Sequence, residues 1–181
     1  AAAILLGEGG ARLLEKINWL PDIYHLNESH GLPLAFYLFS RHKTADEVKK
    51  RLVFTNHTPE PGGNEKTDLS LLLKLGFFCG ISLEEVRGIA RIQDGLLDHT
   101  LTAIRLSGKT NGVSKLHHQT LCRMWQRYEH ACTIIPITNA QNFSYWGDAE
   151  MYKALSENDD RGSINGKKEC KRILCQEVGD Q

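Results

Sequence analysis

The sequence predicts an α/β fold, a parallel sheet with flanking helices. Three observations carry that reading. Short β-branched and aromatic runs alternate with stretches of helical spacing, two such runs enclose helical segments as a strand-helix-strand unit, and a Pro- and Gly-rich loop leaves the second run. At 181 residues, 41% hydrophobic and 24% charged, the chain is long enough for a domain with a real core.

The elements follow in order. Leu5, Leu6, Ala11, Leu13, Leu14 and Ile17 recur at near-helical spacing, which predicts a helix ending near Asn18 or Trp19, before Pro21. Asp22-Ile23-Tyr24-His25-Leu26 reads as a strand, the polar Asn27-Glu28-Ser29-His30 as its exit, and residues 32–39 as an apolar helix. A short helix over 44–50 carries an Asp46–Lys50 pair at helical spacing and leads into Leu52-Val53-Phe54-Thr55, a buried strand. Residues 57–64, with Pro59, Pro61, Gly62 and Gly63, form a loop at that strand's carboxyl end, the place where open parallel sheets bind ligands.

Residues 69–75, 82–90 and 95–106 read as three helices, the second with Ser82 as N-cap and Glu85 completing a capping box. Asn111-Gly112-Val113-Ser114 marks a turn and a short strand, and Leu116, Leu121, Met124, Trp125 and Tyr128 give an amphipathic helix. Ile134-Ile135-Pro136-Ile137-Thr138-Asn139 is the last strand expected. Beyond Trp146 the chain turns polar, with a short helix around 150–155, a flexible stretch over 157–166 and a final helix over 167–178.

Composition excludes several classes. Lys plus Arg and Asp plus Glu each total 22, and no basic block is dense enough to track a phosphate backbone, so nucleic acid is not an expected partner. No apolar run approaches the roughly 20 residues of a membrane helix, so a soluble chain is expected and a membrane partner is not. Cys79, Cys122, Cys132, Cys170 and Cys175 are odd in number and lack a zinc-ligand pattern, which fits reduced thiols in the cytoplasm and no metal site. The start shows neither an initiator methionine nor a signal-peptide order, as in an excised or processed piece.

Four motifs carry the functional reading: Tyr24-His25-Leu26-Asn27-Glu28-Ser29-His30, Val53-Phe54-Thr55-Asn56-His57-Thr58-Pro59, Asn111-Gly112-Val113-Ser114-Lys115-Leu116-His117, and Ile137-Thr138-Asn139 with Trp146. In order and spacing they resemble the α-glucan (glycogen and maltodextrin) phosphorylase family, particularly its bacterial and archaeal branch. The resemblance runs up to Trp146. It implies a Rossmann-like piece of the amino-terminal half of a two-domain glycosyltransferase, residues 1–146, and a polar helical segment, 147–181, leading toward a cofactor domain.

The resemblance also implies roles. His57 touches the glucosyl unit at the cleavage point through its carbonyl and ring, and is the first catalytic candidate; the plain alternative is a turn histidine bonded to its own loop. Asn139, whose amide both donates and accepts, would hold a hydroxyl of the same sugar, against a reading as a turn asparagine. Val113 and Thr58 would line the sugar pocket, while Glu28 and His30 would border the cavity on the anomeric side. Ser29 as a helix cap and His30 in its first turn is the competing account. Trp146 would pack near the cofactor.

For the whole enzyme the resemblance implies phosphorolysis of an α-1,4-glucan by inorganic phosphate with pyridoxal phosphate as cofactor, on a lysine absent from this chain. The isolated chain is then expected to be inactive, and homodimerisation of the whole protein stays open. Ala140-Gln141-Asn142 stands where the family has glycine after its asparagine, which keeps a noncatalytic carbohydrate-binding relative in view. A sugar-nucleotide glycosyltransferase of the glycogen-synthase type shares the architecture and is the third reading.

Overall fold

The expected parallel sheet is present, with four strands. The computed structural model describes residues 1–92 and 94–179 and divides the chain into two compact units, the first Ala1–Thr138 and the second starting at Asn139. Of the sequence-based segment 147–181, residues 180 and 181 lie outside the described residues.

The first unit opens with α1 (Ala2–Ile4), a π-helical turn (Leu5–Gly9) and α2 (Gly10–Lys16), one continuous helical segment ended by Asn18 at positive φ. Gly7 lies in this turn because a Cβ there would come within 2.7 Å of the Gly31 carbonyl and the Leu34 amide. Strand β1 (Tyr24–Asn27) leads through a 3-10 turn (Ser29–Gly31) into α3 (Pro33–His42), whose Pro33 stands in the first turn where no intrahelical donor is needed. Then come α4 (Ala45–Arg51), capped by Thr44, and β2 (Leu52–Asn56).

After the loop that follows β2, the chain forms β3 (Lys66–Asp68), α5 (Leu69–Lys74), α6 (Leu83–Ala90), β4 (Leu96–Asp98) and α7 (His99–Leu106). Ser82 and Glu85 make the expected capping box on α6. Residues 96–98 depart from the expected helix: they pair antiparallel with β3, and Asp98 caps α7 instead. Strand β5 (Lys109–Gly112), α8 (Lys115–Trp125) and β6 (Ile134–Pro136) complete the unit.

The main sheet has the order β1-β2-β5-β6, all neighbours parallel. Leu26, Phe54, Thr110 and Ile134 stand side by side across all four strands, and all are buried. The next row is Asn27, Thr55, Asn111 and Ile135, of which Asn27 and Ile135 are exposed. Within this unit the helices therefore cover one face. A strand order that follows chain order, with crossovers of one hand, places each connecting helix on the same side. Fully buried Phe36, Phe54 and Phe78 anchor the core, each stabilising by about 1.5–3 kcal/mol on burial. Phe36, Phe77 and Phe78 meet edge to face at 5.0–6.1 Å between ring centroids.

The second unit contains α9 (Phe143–Trp146), α10 (Ala149–Ser156) and α11 (Asp160–Val178). Helix α11 begins at Asp160, so most of the stretch expected to be flexible is helical. Gly162 there allows close approach to Ala154 of α10, where a Cβ would lie 2.9 Å from the alanine methyl. Among the described residues no helix is long and apolar enough to cross a membrane.

Candidate functional site

The carboxyl ends of β1, β2 and β5 converge because the three strands are parallel and adjacent. Glu28 is the first residue beyond β1. Its amide donates to the Thr55 carbonyl at 2.9 Å, yet its backbone has φ 62° and ψ 175°. That region is almost confined to glycine, and holding a glutamate in it costs on the order of 1–3 kcal/mol.

The unusual backbone aims the carboxylate at the end of β2. Glu28 Oε1 accepts from the His57 amide and from Thr58 Oγ1 at 3.1 Å, and Oε2 accepts from Asn56 Nδ2 at 3.5 Å. Asn56, fully buried, in turn accepts from the Thr58 amide at 3.1 Å through Oδ1. One carboxylate thus fixes the turn that carries His57 and Thr58. The His57 residue is exposed, and its ring makes no hydrogen bond among the described residues.

Behind this turn, a polar row crosses the open face of the sheet. His25 Nε2 lies 2.7 Å from Thr55 Oγ1, whose hydroxyl donates to Asn111 Oδ1 at 2.7 Å. With that hydroxyl proton committed to Asn111, Thr55 accepts from His25.

The third strand end brings a residue that was legible only as the last position of a motif. At the start of α8, Ser114 Oγ accepts from the His117 amide at 3.1 Å, and the Val113 amide donates to His117 Nδ1 at 3.1 Å. This reciprocal arrangement is a capping box displaced by one residue, with an imidazole in place of the usual carboxylate. Gly112 permits it, since a Cβ there would sit 3.0 Å from Leu121 Cδ1 and 3.1 Å from the His118 amide.

Because Nδ1 accepts, the neutral His117 ring carries its proton on Nε2. That atom is shielded from solvent and has no hydrogen-bond partner among the described residues, and the residue is only 7% exposed. A buried donor left without an acceptor costs about 1–3 kcal/mol. Burial holds the His117 pKa below its ordinary 6.5, repulsion from His57 lowers it further, and Glu28 opposes both. Glu28, His57 and His117 therefore share one electrostatic neighbourhood.

The expected site residues divide as follows. Glu28, His57, Thr58 and Val113 gather at the carboxyl edge, with Val113 half-buried and committed through its amide to His117. His30, in the 3-10 turn after Glu28, is exposed and makes no hydrogen bond among the described residues. Asn139 is the first residue of the second unit and is exposed. Trp146 ends α9 there, 79% exposed with its ring edge to face with Tyr145 at 4.9 Å. Among the described residues no group of three or more His, Cys, Asp or Glu is placed to hold a metal ion.

No protein-family model matches the chain. The chain is 35% identical to an uncharacterized protein of Methanocaldococcus jannaschii over 181 residues, all of this chain and 34% of that protein. It is 32% identical over 167 residues to the maltodextrin phosphorylase of Thermococcus litoralis, covering 84% of this chain and 20% of that enzyme. It is homologous to part of a phosphorylase. The glycogen phosphorylase of Aquifex aeolicus adds 26% identity over 171 residues, 85% of this chain and 25% of that enzyme. The chain spans about a third of the first relative and a quarter or less of the two phosphorylases.

Proposed function

We propose that the whole protein is an α-1,4-glucan phosphorylase, releasing glucose 1-phosphate from glycogen or maltodextrin with inorganic phosphate, and that this chain supplies one wall of the glucosyl site. The observation that carries the reading is the convergence of Glu28, His57, Thr58 and Val113, drawn from three separated motifs, at adjoining strand ends. Similarity to two phosphorylases over more than four-fifths of the chain supports the substrate class.

In this reading the Glu28 carboxylate holds the His57 turn so that the His57 carbonyl and ring face the sugar. A carbonyl dipole fixed in advance suits the positive charge that develops at the anomeric carbon during glycosyl transfer. His57 would then act on the reacting sugar, and Glu28 would hold His57 in place. Trp146 would pack against the cofactor.

Pyridoxal phosphate, the cofactor of this reading, would supply the proton-shuttling phosphate. A lysine that carries it as a Schiff base needs a desolvated setting. Every described lysine of this chain is at least partly exposed, which supports assigning that lysine to another part of the protein. The isolated chain is accordingly inactive.

The test is phosphorolysis of maltoheptaose by the whole protein, read as glucose 1-phosphate. Formation that depends on inorganic phosphate supports the proposal. Maltoheptaose binding without turnover would favour the noncatalytic carbohydrate-binding relative, the reading that Ala140-Gln141-Asn142 supports. Transfer that requires a sugar nucleotide would point to the synthase class.

A further inference from the structure

The helix-capping role of His117 accounts for one ring nitrogen and leaves the other unexplained. Nδ1 accepts from the Val113 amide, which fixes the tautomer and orients Nε2–H rigidly. Nε2 is buried and has no acceptor among the described residues. If the ring's purpose were only to cap α8, the carboxylate usual at this position would serve Val113 without burying an unmatched donor.

We propose that His117 Nε2–H donates to a hydroxyl of a sugar bound beside Glu28 and His57. The assignment deepens the proposed function and rests on its carbohydrate reading. Both burial and His57 keep the ring neutral, so its donor and acceptor nitrogens do not exchange roles. A hydroxyl fits this setting because it accepts from Nε2–H while donating onward. Phosphate fits less well, since the Glu28 carboxylate acts on the same ring and would repel an anion. Nε2 is shielded in the ligand-free chain, so the sugar must displace a neighbour.

Two substitutions separate the ring nitrogens. His117→Asn retains an acceptor near Nδ1 and loses the distal donor, whereas His117→Gln presents an N–H near Nε2 and gives up the Val113 contact. With maltoheptaose titrated calorimetrically into the purified whole protein, His117→Asn should weaken binding about 5- to 10-fold with little change in melting temperature. His117→Gln should keep more of the affinity and melt earlier.

Nitrogen-15 NMR of the unsubstituted protein gives a second reading that needs no variant to fold. Maltoheptaose should shift the His117 Nε2 signal while Nδ1 keeps its acceptor signature. Binding by His117→Asn equal to that of the unsubstituted protein, or an Nε2 signal that ignores maltoheptaose, overturns this assignment alone. An Nε2 signal moved by inorganic phosphate and not by the sugar also overturns it. Absence of maltoheptaose binding in the unsubstituted protein removes the carbohydrate reading itself, and this assignment with it.

Discussion

The His57 amide donates to the Glu28 carboxylate and so ties the turn after β2 to the residue that leaves β1. This contact, with those to Thr58 and Asn56, makes Glu28 the organiser of the strand ends. Glu28→Ala removes all three while leaving a Cβ in a glycine-like conformation, and should destabilise the chain by about 2 kcal/mol, since the site is half-exposed. Glu28→Gly removes the same carboxylate but relieves the backbone. It should be about 1 kcal/mol more stable than the alanine variant despite glycine's usual disadvantage. Denaturant unfolding of both compares them directly, and an alanine variant at least as stable as glycine would mean that Glu28 is not strained.

Replacing His57 by alanine in the whole protein should lower phosphorolysis by about 10²-fold while weakening long-glucan binding far less. Only groups at the cleaved bond gain strength as charge develops. Steady-state kinetics with maltoheptaose and inorganic phosphate check this, and unchanged turnover removes His57 from the proposed chemistry.

Thr55→Val conserves shape but leaves His25 and Asn111 without the hydroxyl between them. A cost of about 1 kcal/mol is expected, because both partners reach solvent more easily than the buried Thr55. Thermal unfolding measures it, together with a change in the His25 ring resonances.

Stability should fall in acid because of two histidines. His99 is buried beneath the β3–β4 pair, its Nε2 lying 3.1 Å from Thr67 Oγ1, and burial lowers its pKa from 6.5 while Glu65 and Asp98 act in the opposite sense. His117 is lowered for the reasons given above. Below about pH 6.5 the unfolded chain takes up protons at these positions while the folded chain does not. Stability is therefore intact above that pH and declines as pH falls toward the depressed folded values, by up to about 1.4 kcal/mol per pH unit for each group. Denaturant unfolding at stepped pH reads the slope. His99→Gln should remove one group's share, and an unaltered slope would contradict the assignment.

Patterns longer than a few residues were legible in the sequence. The β1–β2 crossover, the β2 exit loop and the Ser82–Glu85 box declare themselves through periodicity and caps. Strand β4 does not, because three residues cannot display a two-residue repeat and Leu97, Leu101 and Ile104 mimic helical spacing. Gly162 and Gly166 suggest a flexible linker, yet in α11 they lie against Ala154 and Met151 of α10. At the site, the placement of Glu28, His57 and Thr58 follows from their position after strands. The positive φ of Glu28 and the orphaned nitrogen of His117 depend on three-dimensional neighbours that no spacing encodes.

The agreement between spatial and chain order in β1-β2-β5-β6 bears on synthesis as well as architecture. A ribosome releases β1 and β2 with only α3 and α4 between them, so this pair can close while the remainder is still being made. β5 docks only after the β3–β4 excursion has emerged, and β6 adds to it without disturbing earlier pairings. Assembly should be vectorial, the β2–β5 junction should be its slow step, and the turn bearing His57 should acquire its fixed shape from Glu28 before the helix bearing His117 reaches it.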